Sequence, residues 1–384
     1  MSTFPNGSVY EKLGIKPVIN ARGNSTILGG SVLGSTVRRS MEEADLNFVE
    51  MRELMEKAGE FISKILGSEA AYVTSGCAAA INLSTAACMA GTDIKKIGQL
   101  PDTNGMKNQI VIQKRQRYNF DRCFTLSGAK LFEAGDQNGC DADQLDAAIS
   151  DRTAAVAYVI NSALEDNSIV SLNEATEIAH SNGIPIIADA ASQIYPLDSF
   201  RRNAQTPDLA CFGAKYFGSP HSTGIVAGKK DLIDAVAAQG FISYHYDGNN
   251  AVGRGMKIDR QEIVGVISAL DIWFSMNHEN RFMEYDRKMT TIEQGLRGLE
   301  GVQTKIVNNK RFWAVTLQVT LDTNITGQTA QDIADKLDKG NPRIWVMSEG
   351  RDTLTINVHT LNQGEESIIA DRLREIISAP SLAE

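Results

Sequence analysis

The sequence predicts an α/β fold, with a mainly parallel sheet in a large domain and a smaller C-terminal α+β domain. Three observations predict it. Short apolar runs bounded by turns recur between residues 70 and 229: AAYVTSG, QIVIQK, TAAVAYVIN, IPIIADAA, DLACFGAK and TGIVAGK. Helical patterns separate them, the alternation expected of βαβ units whose sheet is buried on both faces. After about Asp259 the pattern changes to helices followed by strand-like stretches, which marks a second unit of ordinary domain size.

Taken in order, residues 1–45 include VINARGNSTILGGSVLGS, too rich in Gly, Asn, Ser and Thr for a regular helix, and read as an N-terminal arm. From Asn47 to Leu66 the apolar positions Phe48, Met51, Met55, Ala58, Ile62 and Ile65 recur at three and four residues, giving a helix with one buried face. Further helices start at Ala78 and run through Ile178, so the large domain spans 46–259. Residues 260–384 then form the small domain. They read as a helix from Gln261 to Met276, a second near Met283–Leu299, the strand-like WAVTLQVTL, a helix Ala330–Leu337, the strand-like RIWVMS and TLTINVH, and a final helix.

Composition narrows the function classes. The chain has 384 residues, 42% hydrophobic and 22% charged, which is ordinary globular usage. With 38 basic against 47 acidic side chains the net charge is −9, so nucleic acid is not an expected partner, although one local basic patch can hold a phosphorylated ligand. Five cysteines lack C-x-x-C spacing and five histidines lack metal-ligand spacing, so no metal is implied and a reduced, cytoplasmic compartment is expected. The N-terminus has no signal-peptide pattern, and no run approaches the roughly 18 apolar residues of a spanning helix. No membrane association is expected.

The chemistry centres on three segments. Asp189 ends the strand IPIIAD, at the sheet edge where ligands of α/β folds bind. A carboxylate on so apolar a strand requires a cation or hydrogen-bond donors. The protonated ring nitrogen of pyridoxal 5′-phosphate (PLP) is such a partner, and an acid there keeps the ring an electron sink. The next apolar run, DLACFGAK, ends in Lys215, where an apolar setting lowers the amine pKa and favours reaction with an aldehyde. Upstream, strand AAYV runs through Thr74, Ser75 and Gly76 into a helix beginning near Cys77, so free N–H groups and the helix dipole form an anion site.

The segments KPVINARGNSTILGGS, AAYVTSGCAAAINLSTAACMAGT, IIADAASQ, FGAKYFGSPHSTGIVAG and GRGMKIDRQEIVGVISAL together resemble the selenocysteine synthase-like (L-seryl-tRNA selenium transferase-like) family of PLP enzymes, in particular the ammonia-lyases among its shorter members. The resemblance covers nearly the whole chain. It implies the aminotransferase-like fold (PLP fold type I), with Lys215 as the Schiff-base lysine, Asp189 facing the ring nitrogen, and Ser75, Gly76 and Cys77 as the phosphate cup. Where the family often carries a His–Arg–Asn-like block this chain reads QRYNFD, so Gln116 or Tyr118 takes the place of the histidine over the ring. The resemblance places Arg254 and Lys257, in GRGMKIDR, near the active site or at a dimer seam beside it, as expected binders of a substrate carboxylate or phosphate.

Arg351, or alternatively Arg343, is the expected holder of the substrate carboxylate in the small domain. His221 is a proton relay or a turn residue, and Arg22 and Asn24 of the arm reach a site or lie on the surface. A tRNA-binding N-terminal domain, present in true selenocysteine synthases, has only about 45 residues of room here. The expected function is a PLP-dependent lyase that deprotonates Cα of a small amino acid, eliminates a β-substituent and yields a 2-oxo acid, in a homodimer or higher homo-oligomer. A racemase, aldolase or transaminase is the alternative within enzymes, and a catalytically silent PLP-fold binding protein the alternative outside them.

Overall fold

Contacts along the chain divide it into two units, residues 31–276 and residues 1–30 with 277–384. The computed structural model describes residues 8–161, 168–309 and 314–379.

The large unit is built on seven strands: β1 (Ala70–Thr74), β2 (Gln109–Gln113), β3 (Lys130–Ala134), β4 (Thr153–Val159), β5 (Ile186–Asp189), β6 (Leu209–Gly213) and β7 (Gly224–Gly228), in the sheet order β1-β7-β6-β5-β4-β2-β3. The pairs β2/β3, β2/β4, β4/β5 and β5/β6 are parallel, and β7 runs antiparallel to both β1 and β6. Every residue of β4 to β7 is buried, as continuous apolar strands of a doubly covered sheet require. This is the expected mainly parallel α/β core.

Helix Cys77–Ala90 lies across β4 to β7. Five of its six alanines, Ala79, Ala80, Ala86, Ala87 and Ala90, are buried and let the helix backbone approach the strands closely. Elsewhere the core is filled by large side chains: the Phe200 ring sits 4.8 Å from Phe212 and 5.6 Å from Phe274. Each such side chain removed from water contributes about 1.5–3 kcal/mol.

The division of the chain differs from the expected boundaries at 45/46 and 259/260. Residues 35–45 are helical, not part of an arm, and pack against the helix Arg260–Ser275, with Ser40 Oγ 3.2 Å from Ser268 Oγ and Arg260 Nε donating to the Ala44 carbonyl at 3.0 Å. The latter helix buries Ile263, Val266, Leu270 and Trp273 in the large core, and the Trp273 indole donates to the Ile194 carbonyl at 2.9 Å. Its apolar face thus assigns it to the large unit. The helix expected from Asn47 begins at Met51, because the Glu50 side chain accepts from the N–H groups of Arg52 and Glu53 and caps it there. Phe48 consequently lies outside that helix and is 94% exposed, with the Arg260 guanidinium 5.0 Å from its ring.

In the other unit, the strands Met347–Glu349, Thr353–Asn357, Ala314–Leu321 and Val302–Asn309 form an antiparallel sheet in that order, beside the helices His278–Leu296, Ala330–Asp338 and Glu365–Ser378. Trp313, the first residue of the expected strand WAVTLQVTL, lies outside the described residues. The polar strand Val302–Asn309 has no apolar run to announce it. RIWVMS splits, because Arg343–Trp345 pairs in parallel with Val18–Asn20 instead of joining the sheet. Ile19 and Ala21 are buried in this unit's core, and Asn357 N–H donates to the Ala21 carbonyl at 2.8 Å. Residues 18–21 are therefore part of a folded unit rather than of a separate arm.

Candidate active site

The carboxyl ends of β1, β5 and β6 lie on one edge of the sheet. Gly224, the first residue of antiparallel β7, pairs with both Thr74 of β1 and Gly213 of β6, and Asp189 of β5 is in register with Cys211 of β6. Four chain segments meet there, and each presents one chemical feature.

The first is an anion site. After Thr74 the chain turns through Gly76, whose φ of +94° suits glycine alone, and enters the helix Cys77–Ala90. Among the described residues no side chain caps that helix, so its first N–H groups and its dipole are available to a negative ligand. Gly224 backs the turn so closely that a Cβ on it would come within 2.5 Å of the Gly76 carbonyl carbon and 2.7 Å of Cys77 N.

The second is Lys215, in a short 3₁₀ turn (Ala214–Phe217) immediately after β6. The turn is fastened by Ala214 N–H donating to the Thr223 carbonyl at 2.9 Å and by a 2.8 Å bond between the Ser219 and Thr223 hydroxyls. Lys215 is partly buried, and that desolvation lowers its amine pKa, with the nearby Cys77 acting weakly in the opposite sense.

The third is Asp189, only 6% exposed. Its Oδ1 accepts from Ala191 N–H at 3.0 Å and from the Cys77 thiol at 3.6 Å, and its Oδ2 accepts a short hydrogen bond from the Tyr118 hydroxyl. Desolvation pushes the Cys77 thiol pKa well up, and the Asp189 charge adds to it, so the sulfur is a neutral donor.

The fourth is His221, whose Nδ1 is buried without a hydrogen-bond partner among the described residues. Its pKa is lowered by burial first and then by the charge of Lys215, which places a neutral imidazole close to that amine.

Other expected site residues lie elsewhere. Gln116 is fully buried, and its amide donates to the Val159 carbonyl at 3.1 Å and accepts from Val159 N–H at 3.4 Å. That corrects its expected place over a ring: it clamps the backbone of β4, and the neighbouring Tyr118 reaches the site instead. Arg254 and Lys257 line a cavity of about 290 Å³ together with Met51, His245, Ile258 and Arg260. None of Ser75, Asp189 and Lys215 lines it. Within the other unit, Arg351 is exposed in the turn between Met347–Glu349 and Thr353–Asn357, with its carbonyl accepting from Ala330 N–H at 2.9 Å. Arg343 is paired with Asp338 at 2.6 Å, and Asn24 accepts at 2.9 Å from His359 Nε2 while donating to the Gly30 carbonyl at 2.8 Å.

A buried acid beside a half-buried lysine and an uncapped helix, all on one edge of an α/β sheet, is the arrangement of a fold type I PLP enzyme, and comparison with known proteins agrees. The Aminotransferase class-V family model matches residues 34–367, and the chain belongs to that family. It is a PLP-dependent enzyme. Two relatives are similar along nearly their whole length. D-glucosaminate-6-phosphate ammonia lyase of Salmonella typhimurium is 29% identical over 379 residues, covering 96% of this chain and 98% of the relative. The 5′-C-glycyluridine monooxygenase-decarboxylase of a Streptomyces species is 31% identical over 384 residues, covering 96% and 92%. An L-seryl-tRNA(Sec) selenium transferase of Desulfovibrio desulfuricans is 25% identical over 274 residues, 65% of this chain and 52% of that protein. Among solved structures, a D-glucosaminate-6-phosphate ammonia-lyase superposes with a TM-score of 0.84 at 26% identity, covering 97% of this chain and 99% of the other.

Proposed function

We propose that this enzyme is a PLP-dependent lyase that takes a small amino acid bearing a β-hydroxyl, removes its Cα proton and expels the β-substituent, giving a 2-oxo acid and ammonia. The observation that carries this reading is the meeting on one sheet edge of Asp189 at the end of β5, Lys215 just after β6 and the uncapped helix at Cys77, whose thiol donates to Asp189 Oδ1 at 3.6 Å. Similarity to an ammonia-lyase across both full chains supports the reaction type.

The residues present fit the cofactor. The uncapped helix N-terminus at Ser75, Gly76 and Cys77 would hold its phosphate, Lys215 its aldehyde, and Asp189 its ring nitrogen. Bound there, PLP supplies an electron sink for a deprotonated Cα. Lys215 carries out the proton transfer: burial lowers its amine pKa and so favours the neutral Nζ that can take the Cα proton. Asp189, kept from water, holds one negative charge at one point of the site. Because Gly224 supports the phosphate turn, Gly224→Ala should weaken PLP binding by about ten- to a hundredfold, the equivalent of an overpacking cost of about 1–3 kcal/mol. Fluorescence titration with PLP measures this.

Arg254 and Lys257 would bind an anionic group of the substrate, with a phosphorylated amino sugar acid as one substrate class. Two of its lining residues touch exposed rings, the Arg260 guanidinium lying 5.0 Å from Phe48, which is 94% exposed, and His245 meeting Tyr244, 58% exposed, edge-on at 5.7 Å, which suits coverage by a second copy of the chain in a homodimer. Arg351 is kept as a further candidate for the substrate carboxylate. A cytoplasmic location belongs to the same reading and is supported by five free cysteines. Arg254→Gln should raise KM by about ten- to a hundredfold, the loss of a charge-assisted bond, with PLP retention unchanged. Weakened PLP retention and lower turnover on every substrate would instead make Arg254 an anchor of the cofactor.

The monooxygenase-decarboxylase relative, equally full-length, favours a second reading in which a carboxyl group is lost and oxygen consumed. A screen of amino acids, including D-isomers and phosphorylated amino sugar acids, decides between them. Release of 2-oxo acid and ammonia without oxygen uptake is expected; oxygen uptake with carbon dioxide release would establish the second reading.

A further inference from the structure

We propose that Tyr118 is a positioning residue for Asp189: its hydroxyl, aided by the Cys77 thiol, holds the carboxylate in one orientation and keeps a proton shared with a bound ring nitrogen on the nitrogen. This rests on the reading of Asp189 as the partner of the PLP ring nitrogen.

The loop that carries Tyr118 is held on both sides. Gln116 is locked to both backbone groups of Val159, and Arg117 makes short ion pairs with Asp121 and Glu133. Asp121 N–H donates to the Tyr118 carbonyl at 3.2 Å, and the Tyr118 ring meets Phe120 edge-on at 6.1 Å. The hydroxyl is thus delivered to Asp189 Oδ2 by a fixed loop, the condition for preorganisation.

A phenol donating to a carboxylate makes a charge-assisted bond, and each donor to a carboxylate lowers its affinity for a proton. Three donors converge here: the Tyr118 hydroxyl, the Ala191 N–H and the Cys77 thiol. Burial, and then the Asp189 charge, raise the Tyr118 pKa, so the hydroxyl stays protonated and remains a donor. A less basic carboxylate leaves a shared proton on the ring nitrogen. The thiol, a weaker donor at 3.6 Å, contributes less than the tyrosine.

The test uses the holoenzyme reconstituted with ¹⁵N-labelled PLP, read by nitrogen NMR at one pH and by the PLP dissociation constant. Tyr118→Phe should move the ring-nitrogen signal toward its unprotonated position and raise the dissociation constant by about tenfold or more. Cys77→Ala should shift both in the same direction by a smaller amount. Asp189→Asn serves as the reference. If it moves the signal while Tyr118→Phe leaves both readouts at wild-type values, the inference is overturned and the reading of Asp189 stands. If Asp189→Asn itself leaves the signal in place, the reading falls and the inference with it. Near-UV circular dichroism establishes that the Tyr118→Phe protein is folded, and should it not fold, the Cys77→Ala comparison decides by the same two readouts.

Discussion

Lys215→Ala should lose the visible absorbance of lysine-bound PLP and reduce turnover by about 10⁴- to 10⁶-fold, the range found when a group that acts as part of a catalytic unit is removed. The size of the effect follows from two roles in one atom. In the proposed mechanism Nζ is both the attachment point of the cofactor and the base at Cα, and partial burial lowers its pKa, in the direction that both roles need. The fold itself should be spared, because Ala214, Ser219 and Thr223 fasten the turn. Borohydride reduction followed by peptide mass spectrometry checks the attachment directly. Reduced PLP on a different lysine would overturn the site assignment.

Asp189→Asn should retain some PLP yet lower kcat by about two to four orders of magnitude, because an amide cannot supply the charge that holds a ring nitrogen protonated. Binding should weaken as well, by about ten- to a hundredfold, for loss of a charge-assisted pair. The substitution also turns one of the two acceptor oxygens into a donor, opposite either Tyr118 or the pair of Ala191 N–H and Cys77, so a decrease in melting temperature is expected beside the kinetic effect. Steady-state kinetics with saturating PLP separate the two contributions. Wild-type turnover under those conditions would reduce Asp189 to a structural acid.

Much of the site could be read from local pattern. A strand that is apolar until its last residue, Asp189, and a following strand with Lys215 two residues past its end identify themselves because sheet burial and strand ends are written in runs of four to eight residues. The turn from Thr74 into the helix at Cys77 is equally local. Tyr118 and Gln116 were not separable in this way. They stand two residues apart in one loop, and only the crossing of β4 past that loop decides that one amide clamps Val159 while the next aromatic ring meets Asp189, 71 residues away.

By itself, then, the sequence determined the α/β alternation, the apolar strands β4 to β7, the positions of Asp189 and Lys215 at strand ends, and the glycine-bearing turn ahead of the helix Cys77–Ala90. All of these depend on backbone conformation and burial over a few neighbouring residues. Tertiary structure alone decided that Val18–Asn20 pairs with Arg343–Trp345, that the helix Arg260–Ser275 belongs to the large unit, that Gly224 backs Gly76, and that Arg254 and Lys257 line a cavity of their own. Each of these is a contact between segments far apart in the chain. Such pairings are selected by which apolar faces and hydrogen-bonding edges remain to be covered once the local elements exist, and no short window of sequence contains both partners.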